Sequence, residues 1–586
     1  MTPLPRLNPR TASLTGFLTA FGITAFAPGA RAAPANTADS IAIMEKQIHA
    51  LQAQLTQLKI KQETENRQVR AQLARQRELI EANPYASREA LLHTRSSPSD
   101  FSHTPESETP FLGWNIKGVE YEPLAPSLTA STPVGMLTAT PPAHPDLYKP
   151  LRRGQLQIGG IRLTLGGFLE AATMWRSRYT GSDISTGFNA IPWGNQPAHH
   201  MSEFHQSERQ SRLSLLVEGM ITKRLEADAY VETDFQGSGS SSNSRQSNSY
   251  VPRARVVYGE LKDQEDGLYF LGGQSWSLIT LFNKGMFARD EQTPLVIEAQ
   301  YVPGFNWTRN PQLRVVKTFG KEERYALGFS VENPSAVPAG KAYGHVTDHI
   351  SGTNVNNPDT FYTTDPAPDV IAKLAADPGW GHYEITGIMR FFRSRSSQNN
   401  GGQNHTVIAG GGGGGMILPL INKALYLQAS GLVGQGLGRY GSSNLPDYTY
   451  SPAGGPVALP EANLLVGLYG TPTNDLTLYS YVGAEKVLRR KAFDQNGEHF
   501  GYGNHGYDMS GCSSELSTVC AASGNVQTVA EATAGFWYTA AKGDYGTIRI
   551  GGQYAHTYLQ SFSGIGGRPH TDADMVFMSF RYMPFN

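Results

Sequence analysis

The amino-acid sequence predicts an all-β fold, a transmembrane antiparallel β-barrel of about 16 strands with 18 as the alternative count, preceded by an N-terminal α-helical coiled coil. Three observations lead to this class. Short stretches of alternating apolar and polar residues recur from about residue 155 to the end of the chain. Short polar turns and long polar loops separate these stretches. The 27 Tyr residues are typical of the aromatic girdles that flank the apolar band of such barrels.

The composition excludes several classes of protein. The chain has 586 residues with 49 basic and 50 acidic side chains, so its net charge of −1 predicts no nucleic-acid partner. Only 17% of the residues are charged, which argues against a disordered tail protein. No stretch offers about 20 consecutive apolar residues, so a helical membrane protein is not expected.

Residues 1–32 are predicted to be a signal peptide. Arg6 and Arg10 precede an apolar run over 14–27, and the small residues Ala30 and Ala32 fit a signal-peptidase site. The run is too short and too interrupted by Gly and Thr to cross a bilayer as a helix. The alternative is a disordered N-terminus.

Residues 40–82 are predicted to form a periplasmic coiled-coil helix. One heptad position is filled by Ile41, Ile48 and Leu55, and the other by Met44, Leu51 and Leu58. The seam then shifts by four residues, which is a stutter that locally unwinds a supercoil. The seam does not fix the number of chains, and a single amphipathic helix lying on its own domain is the alternative.

Residues 83–154 are rich in Pro, Ser and Thr, and are interpreted as a linker. Residues 155–586 are then left for the barrel. A membrane strand needs roughly 9–11 residues, and a hairpin with one short turn and one long loop uses about 50, which gives on the order of 16–18 strands. Barrels of that size enclose an aqueous channel.

The stretch LEADAYVETDF, residues 225–235, has an apolar face and an acidic face when it is read as a strand. The acidic face carries Glu226, Asp228, Glu232 and Asp234. A soluble sandwich turns its polar face to water, whereas an outer-membrane barrel turns it to a wet lumen, and alternation alone does not choose between them. Export, the abundance of Gly and Tyr, and the terminal strand MVFMSFRYMPFN favour the barrel.

Five arginines are predicted to lie on strands close to the acidic strand. Placing Arg on the lipid face at mid-membrane costs about 2–4 kcal/mol, so most of them are expected to face the lumen. Arginines that face carboxylates across a constriction would create a transverse field that filters solutes by charge. The alternative is that the same charges form salt bridges that stiffen the barrel wall. The five are Arg209, Arg212, Arg253, Arg255 and Arg314.

The two cysteines, Cys512 and Cys520, are predicted to form a disulfide in a loop exposed to an oxidising compartment. His199, His200 and His205 are interpreted as residues of a solvated loop, and no metal or cofactor is expected. The run of glycines at 410–415 is not followed by the Lys-Ser/Thr of a phosphate-binding loop. We find no catalytic motif and predict that the protein is not an enzyme.

Several blocks follow one another in an order that resembles the DcaP-like family of trimeric outer-membrane porins. The blocks are SERQSRLSLLVEG (207–219), LEADAYVETDF, RARVVYGEL (253–261), LYFLGGQSWS (268–277) and RNPQLRVV (309–316). The likeness covers the coiled coil and residues 160–320 well, and residues 320–586 loosely. It implies 16 strands, a periplasmic coiled coil, a homotrimer, and passive uptake of small, often anionic solutes such as dicarboxylates.

The sequence therefore predicts an outer-membrane porin with an N-terminal periplasmic extension. The expected partners are outer-membrane lipid, small hydrophilic solutes and two further copies of the chain. Two other functions stay open at this point. The barrel would be a structural tether if the coiled coil contacts the cell wall, or a hydrolase if catalytic residues are dispersed over several strands.

Overall fold

The computed structural model describes residues 151–237, 250–351, 361–398, 401–421 and 424–585. The predicted signal peptide, the coiled coil and nearly all of the linker lie outside these residues. The main sheet of the described part contains 19 strands. Three of them, Gln155–Ile158, Glu203–Ser207 and His345–Thr347, are short additions to longer neighbours, which leaves 16 strands that form the wall.

We number the wall strands β1 to β16 in chain order. They are β1 Ile161–Arg176, β2 Arg212–Met220, β3 Leu225–Asp234, β4 Arg253–Asp263, β5 Leu268–Trp276, β6 Arg309–Phe319, β7 Tyr325–Glu332, β8 Asp369–Ala376, β9 His382–Gln398, β10 Gly401–Ile421, β11 Leu425–Gln435, β12 Pro460–Gly470, β13 Leu476–Val487, β14 Val526–Gly543, β15 Gly546–Ser561 and β16 His570–Met583. Each strand pairs antiparallel with the next one.

The sheet closes through β1. The first half of β1 pairs with β2, from Ile161↔Gly219 to Phe168↔Arg212. Its second half pairs with β16, from Leu169↔Tyr582 to Arg176↔Met575. Because the first and last strands are joined, the wall has no free edge, and this is what allows a sheet to sit in a bilayer. The sequence prediction of a closed antiparallel barrel with 16 strands is confirmed.

The two ends of the barrel differ. Short turns at 221–224, 264–267 and 471–475 lie at one end, whereas long loops such as 277–308 and 488–525 lie at the other. The start of β1 and the end of β16 are both at the short-turn end. In outer-membrane barrels the short turns face the periplasm and the long loops face the exterior of the cell.

The wall has an apolar outside and a polar inside. On β1, Leu165 and Leu169 are 40% and 55% exposed, whereas Glu170 and Arg176 on the opposite face are buried. Aromatic residues at the short-turn end form pairs on the outside, for example Phe319 with Tyr325, whose ring centroids are 5.6 Å apart. Among the described residues, no helix is both long and apolar enough to cross a bilayer.

The loop between β5 and β6, residues 277–308, folds into the barrel, and we call it the inward loop. Leu278, Phe282 and Phe305 of this loop have no exposed surface. The glycine run of β10 makes room for it, because a Cβ on Gly415 would lie 2.6 Å from Cδ1 of Leu281. The inward loop therefore divides the interior of the barrel.

The long loop 488–525 contains the two cysteines. Cys512 and Cys520 are joined in a disulfide with an S–S distance of 2.08 Å. The loop packs against the loop that follows β1, because the backbone N–H of Leu516 donates to the carbonyl oxygen of Asn195 at 2.8 Å.

Candidate ion pathway inside the barrel

Carboxylates on the wall hold the inward loop by its backbone. The N–H of Leu278 donates to Glu332 Oε1 of β7 at 2.9 Å, and the N–H of Phe282 donates to Glu384 Oε1 of β9 at 2.9 Å. Further along, the N–H of Gly304 donates to Glu485 Oε1 of β13 at 2.8 Å. These hydrogen bonds from the backbone to three separate strands fix the course of the loop.

Neutral wall side chains complete the attachment. The N–H of Leu295 donates to the hydroxyl of Tyr481 on β13 at 3.2 Å, and the N–H of Ile297 donates to Oε1 of Gln553 on β15 at 2.6 Å. Because β7, β9, β13 and β15 are spread around the wall, the inward loop crosses the interior of the barrel. Burial raises the pKa of Asp290 and of Glu291 in this loop to about 7.

The acidic strand β3 presents its carboxylates to the interior, and all four are buried. Towards the long-loop end, Arg255 pairs with Glu232 at 2.6 Å and with Asp234 at 2.8 Å. Arg253 pairs with Asp234 at 2.7 Å, and Arg212 lies 4.0 Å from Glu232. This half of the strand therefore belongs to a cluster of charged side chains in which arginines outnumber carboxylates.

The other half of β3 belongs to a separate group near the short-turn end. Lys262 Nζ contacts Asp228 and lies 3.4 Å from Glu226. Arg289 of the inward loop lies 3.9 Å from Asp228. Glu218, Glu226 and Asp228 are close enough together to bind a metal ion, but the ammonium of Lys262 already neutralises two of them.

The structure corrects two details of the predicted site. Arg212, Arg253 and Arg255 do not face the carboxylates across the passage, because β2 and β4 flank β3 and the pairs run along one wall. Arg209 is not on a strand. It lies in the turn before β2, donates to the carbonyl oxygens of Phe235 and Gly237 at 3.1 and 3.0 Å, and thereby holds a loop.

Arg314 lies on the inner face of β6. Its Nε donates to Gln312 Oε1 at 3.0 Å, and its Nη2 donates to the carbonyl oxygen of Trp276. In the described part of the chain no carboxylate lies within 4.0 Å of it. The interior carboxylates Glu260, Glu291 and Glu332 act on its charge from a greater distance.

Sequence reasoning missed several interior arginines, among them Arg309, Arg549 and Arg581. With Arg212 and Arg255 these three form a row along the wall that we call the arginine arc: Arg549, Arg581, Arg212, Arg255 and Arg309. Arg549 and Arg581 are paired residues of β15 and β16, and the guanidinium groups of Arg581 and Arg212 both lie over the ring of Phe168. Arg212 and Arg255 both approach Glu232, and Arg309 lies over the ring of Trp276 at the start of β6. Arg309 and Arg549 have no carboxylate within 4.0 Å among the described residues.

Aromatic rings separate the members of the arginine arc. The guanidinium of Arg581 lies 4.6 Å from the ring centroid of Phe168 and 4.4 Å from that of Trp537. Arg309 lies 5.0 Å from the rings of both Trp276 and Trp307. Cation–π contacts of this kind stabilise guanidinium groups, and Arg581 in addition pairs with Glu170 at 3.1 Å.

One sequence signal was available for the missed residues. Arg549 and Arg581 lie directly opposite each other on β15 and β16. Arg549 is the only Lys, Arg, Asp or Glu in β15, whereas β16 also carries Asp572 and Asp574. Like charges opposite each other are destabilising in a sheet, and Arg581 is compensated by an ion pair with Glu170 at 3.1 Å.

Comparison with known proteins identifies the fold. The outer membrane channel DcaP of Acinetobacter baumannii is similar in structure, with a TM-score of 0.53 and 16% sequence identity over 74% of this chain and 99% of that chain. An anion-selective porin from Comamonas acidovorans gives a TM-score of 0.40 with 9% identity over 72% and 99% of the two chains. No family model matches the sequence, and no curated protein matches it. At these identities the likeness concerns the fold alone.

Proposed function

We propose that the protein is an outer-membrane porin that allows passive, anion-preferring diffusion of small hydrophilic solutes. The arginine arc is the observation that carries this proposal. Two of its members, Arg309 and Arg549, have no carboxylate within 4.0 Å among the described residues, and cations in such positions attract anions to the channel. The fold of a known outer-membrane channel supports the general role.

The inward loop supports a size limit for the solutes. It crosses the barrel between the acidic strand and the opposite wall, so a solute must pass beside it. Dicarboxylates are the solutes that the family resemblance favours. A homotrimer held in part by a periplasmic coiled coil is the assembly that we propose with it, in a barrel placed in the outer membrane.

An ion-selectivity measurement tests the proposal. The purified protein is placed in a planar bilayer under a gradient of potassium chloride, and the reversal potential gives the ratio of anion to cation permeability. We expect this ratio to exceed one. In the double variant Arg212→Gln and Arg255→Gln we expect it to fall by about twofold or more, because two lumen cations are removed.

The matched control is Arg224→Gln, which removes an exposed cation in the turn 221–224 at the end of the barrel. Its reversal potential should equal that of the wild type. A wild-type channel that prefers cations, or a double variant with an unchanged reversal potential, contradicts the proposed role of the arginine arc.

A further inference from the structure

We infer that Arg309 and Trp307 form a binding site for aromatic carboxylates at the long-loop mouth of the channel. This inference rests on the proposed function and gives it a class of solute. The site has three parts: a guanidinium without a protein partner, two indole rings against it, and a surrounding group of arginines.

The guanidinium of Arg309 is unusual because the protein does not satisfy it. Among the described residues it donates no hydrogen bond, and Nη1 is buried without a partner. An arginine has five N–H donors, and leaving them unsatisfied is costly. The carboxylates that act on it are Glu232 and Asp234, and both already accept hydrogen bonds from Arg255 or Arg253.

The rings of Trp276 and Trp307 determine how an anion can approach. Arg309 lies 5.0 Å from the centroid of each ring, so the indoles cover part of its surface. The N–H groups at its edge are therefore the donors left for a ligand. A planar carboxylate matches such an edge with two parallel hydrogen bonds, which compact ions such as chloride do not form.

Trp307 provides the surface beside the cation. It is partly exposed, as is Arg309. Its indole N–H donates to Ser442 Oγ at 3.1 Å, and its ring lies 5.3 Å from that of Tyr301. These contacts hold the ring in one orientation, so it forms a rigid aromatic wall next to the site.

An aromatic acid fits both features at once. In benzoate the ring and the carboxylate are rigid and close to coplanar, so a carboxylate held by Arg309 places the ring beside Trp307. Aromatic pairs attract each other beyond the burial of apolar surface. In a flexible aliphatic dicarboxylate, the second carboxylate would instead lie against the indole ring and lose its water of hydration there, which is unfavourable.

The test compares two acids of equal charge and similar size, benzoate and cyclohexanecarboxylate. The full-length protein is placed in a planar bilayer in potassium chloride, and each acid is added until the chloride current is half blocked. We expect benzoate to reach half block at a concentration about threefold lower, as aromatic pairing predicts. Succinate is measured alongside, and half block by succinate at a lower concentration than benzoate would overturn the inference.

Variants assign the effect to the two residues. Trp307→Leu should remove the difference between benzoate and cyclohexanecarboxylate, and Trp307→Tyr should restore it. Arg309→Gln should raise the half-block concentration of both acids by about tenfold, the loss of one charge-assisted pair. The control Arg224→Gln should change neither value.

The results separate this inference from the proposed function. A channel that prefers anions in potassium chloride but is blocked equally by benzoate and cyclohexanecarboxylate overturns the inference and leaves the porin role standing. An unchanged difference in Trp307→Leu also overturns it. A protein that forms no anion-preferring channel contradicts the proposed function itself.

Discussion

At the scale of single residues, burial decides what a charge contributes. Arg390 has no exposed surface and pairs with Asp369 at 3.2 Å and with Asp447 at 2.5 Å. Lys341 and Glu498 form a pair at 2.6 Å whose side chains are more than half exposed. The distances are comparable, but water screens the second pair and not the first.

We predict opposite outcomes for Arg390→Leu and Lys341→Ala. Arg390→Leu leaves two buried carboxylates without their cation and should lower the free energy of unfolding by about 3–5 kcal/mol. Lys341→Ala should leave the stability unchanged within error. Urea denaturation of the folded protein in detergent micelles measures both. Equal stability of the two variants would contradict the buried pairing of Arg390.

The residue scale also shows where the period-two rule of strands holds and where it does not. The rule places the four carboxylates of LEADAYVETDF on one face, and the structure has all of them inside. The rule fails at Arg309. Asn310 and Gln312 face inward, so alternation would place Arg309 on the outside, yet its guanidinium lies against the buried ring of Trp276. The chain bends where β6 leaves the inward loop, and alternation within one strand carries no information about such a bend.

At the scale of elements, the inward loop is the feature that the sequence did not predict. The stretch from Ser277 to Phe282 is apolar enough to be taken for more of a strand. Its actual position depends on partners far away in the sequence, for example Glu384 and Glu485, which accept hydrogen bonds from its backbone. A local pattern cannot show which carboxylates of other strands will meet it.

Gly304 is the position at which this loop is most sensitive to substitution. Its φ is +95°, and an added Cβ would lie 2.1 Å from the carbonyl oxygen of Leu464. Gly304→Ala is therefore expected to displace the end of the loop from β12 and β13 and to change the single-channel conductance, because the loop borders the passage.

The matched control is Gly524→Ala, since a Cβ at Gly524 meets nothing within 4 Å. Its conductance should equal that of the wild type in the same planar bilayer recordings. If Gly304→Ala also conducts as the wild type does, the loop does not limit the passage of ions.

At the scale of the whole molecule, length and turn spacing predict 16–18 strands and the family resemblance predicts 16, but the way in which the barrel closes is seen only in the structure. β1 is shared between β2 and β16, and the short strand Gln155–Ile158 covers the part of β1 that β16 does not reach. The division falls at Phe168 and Leu169, within one uninterrupted strand. The glycine pair Gly166-Gly167 directly precedes that position, and Gly in a strand marks a bulge or a close approach of backbones. It does not show which strands pair on either side, so the register of closure could not be predicted.

Closure also predicts that the barrel is independent of the chain that precedes it. In the described part of the chain all of the wall pairings lie between Gln155 and Met583, so we expect a protein that consists of residues 151–586 to fold as a complete barrel. We expect it to show the same shift in gel mobility on heating as the full-length barrel, and the same single-channel conductance. Truncated protein that stays aggregated after refolding in detergent would show that the N-terminal segment takes part in forming the wall.

The coiled coil predicted for 40–82 would instead add to contacts between copies, so its removal should lower the temperature at which a trimer separates into monomers. Truncated trimers that are as heat-stable as the full-length ones would place all of the assembly contacts on the barrel itself.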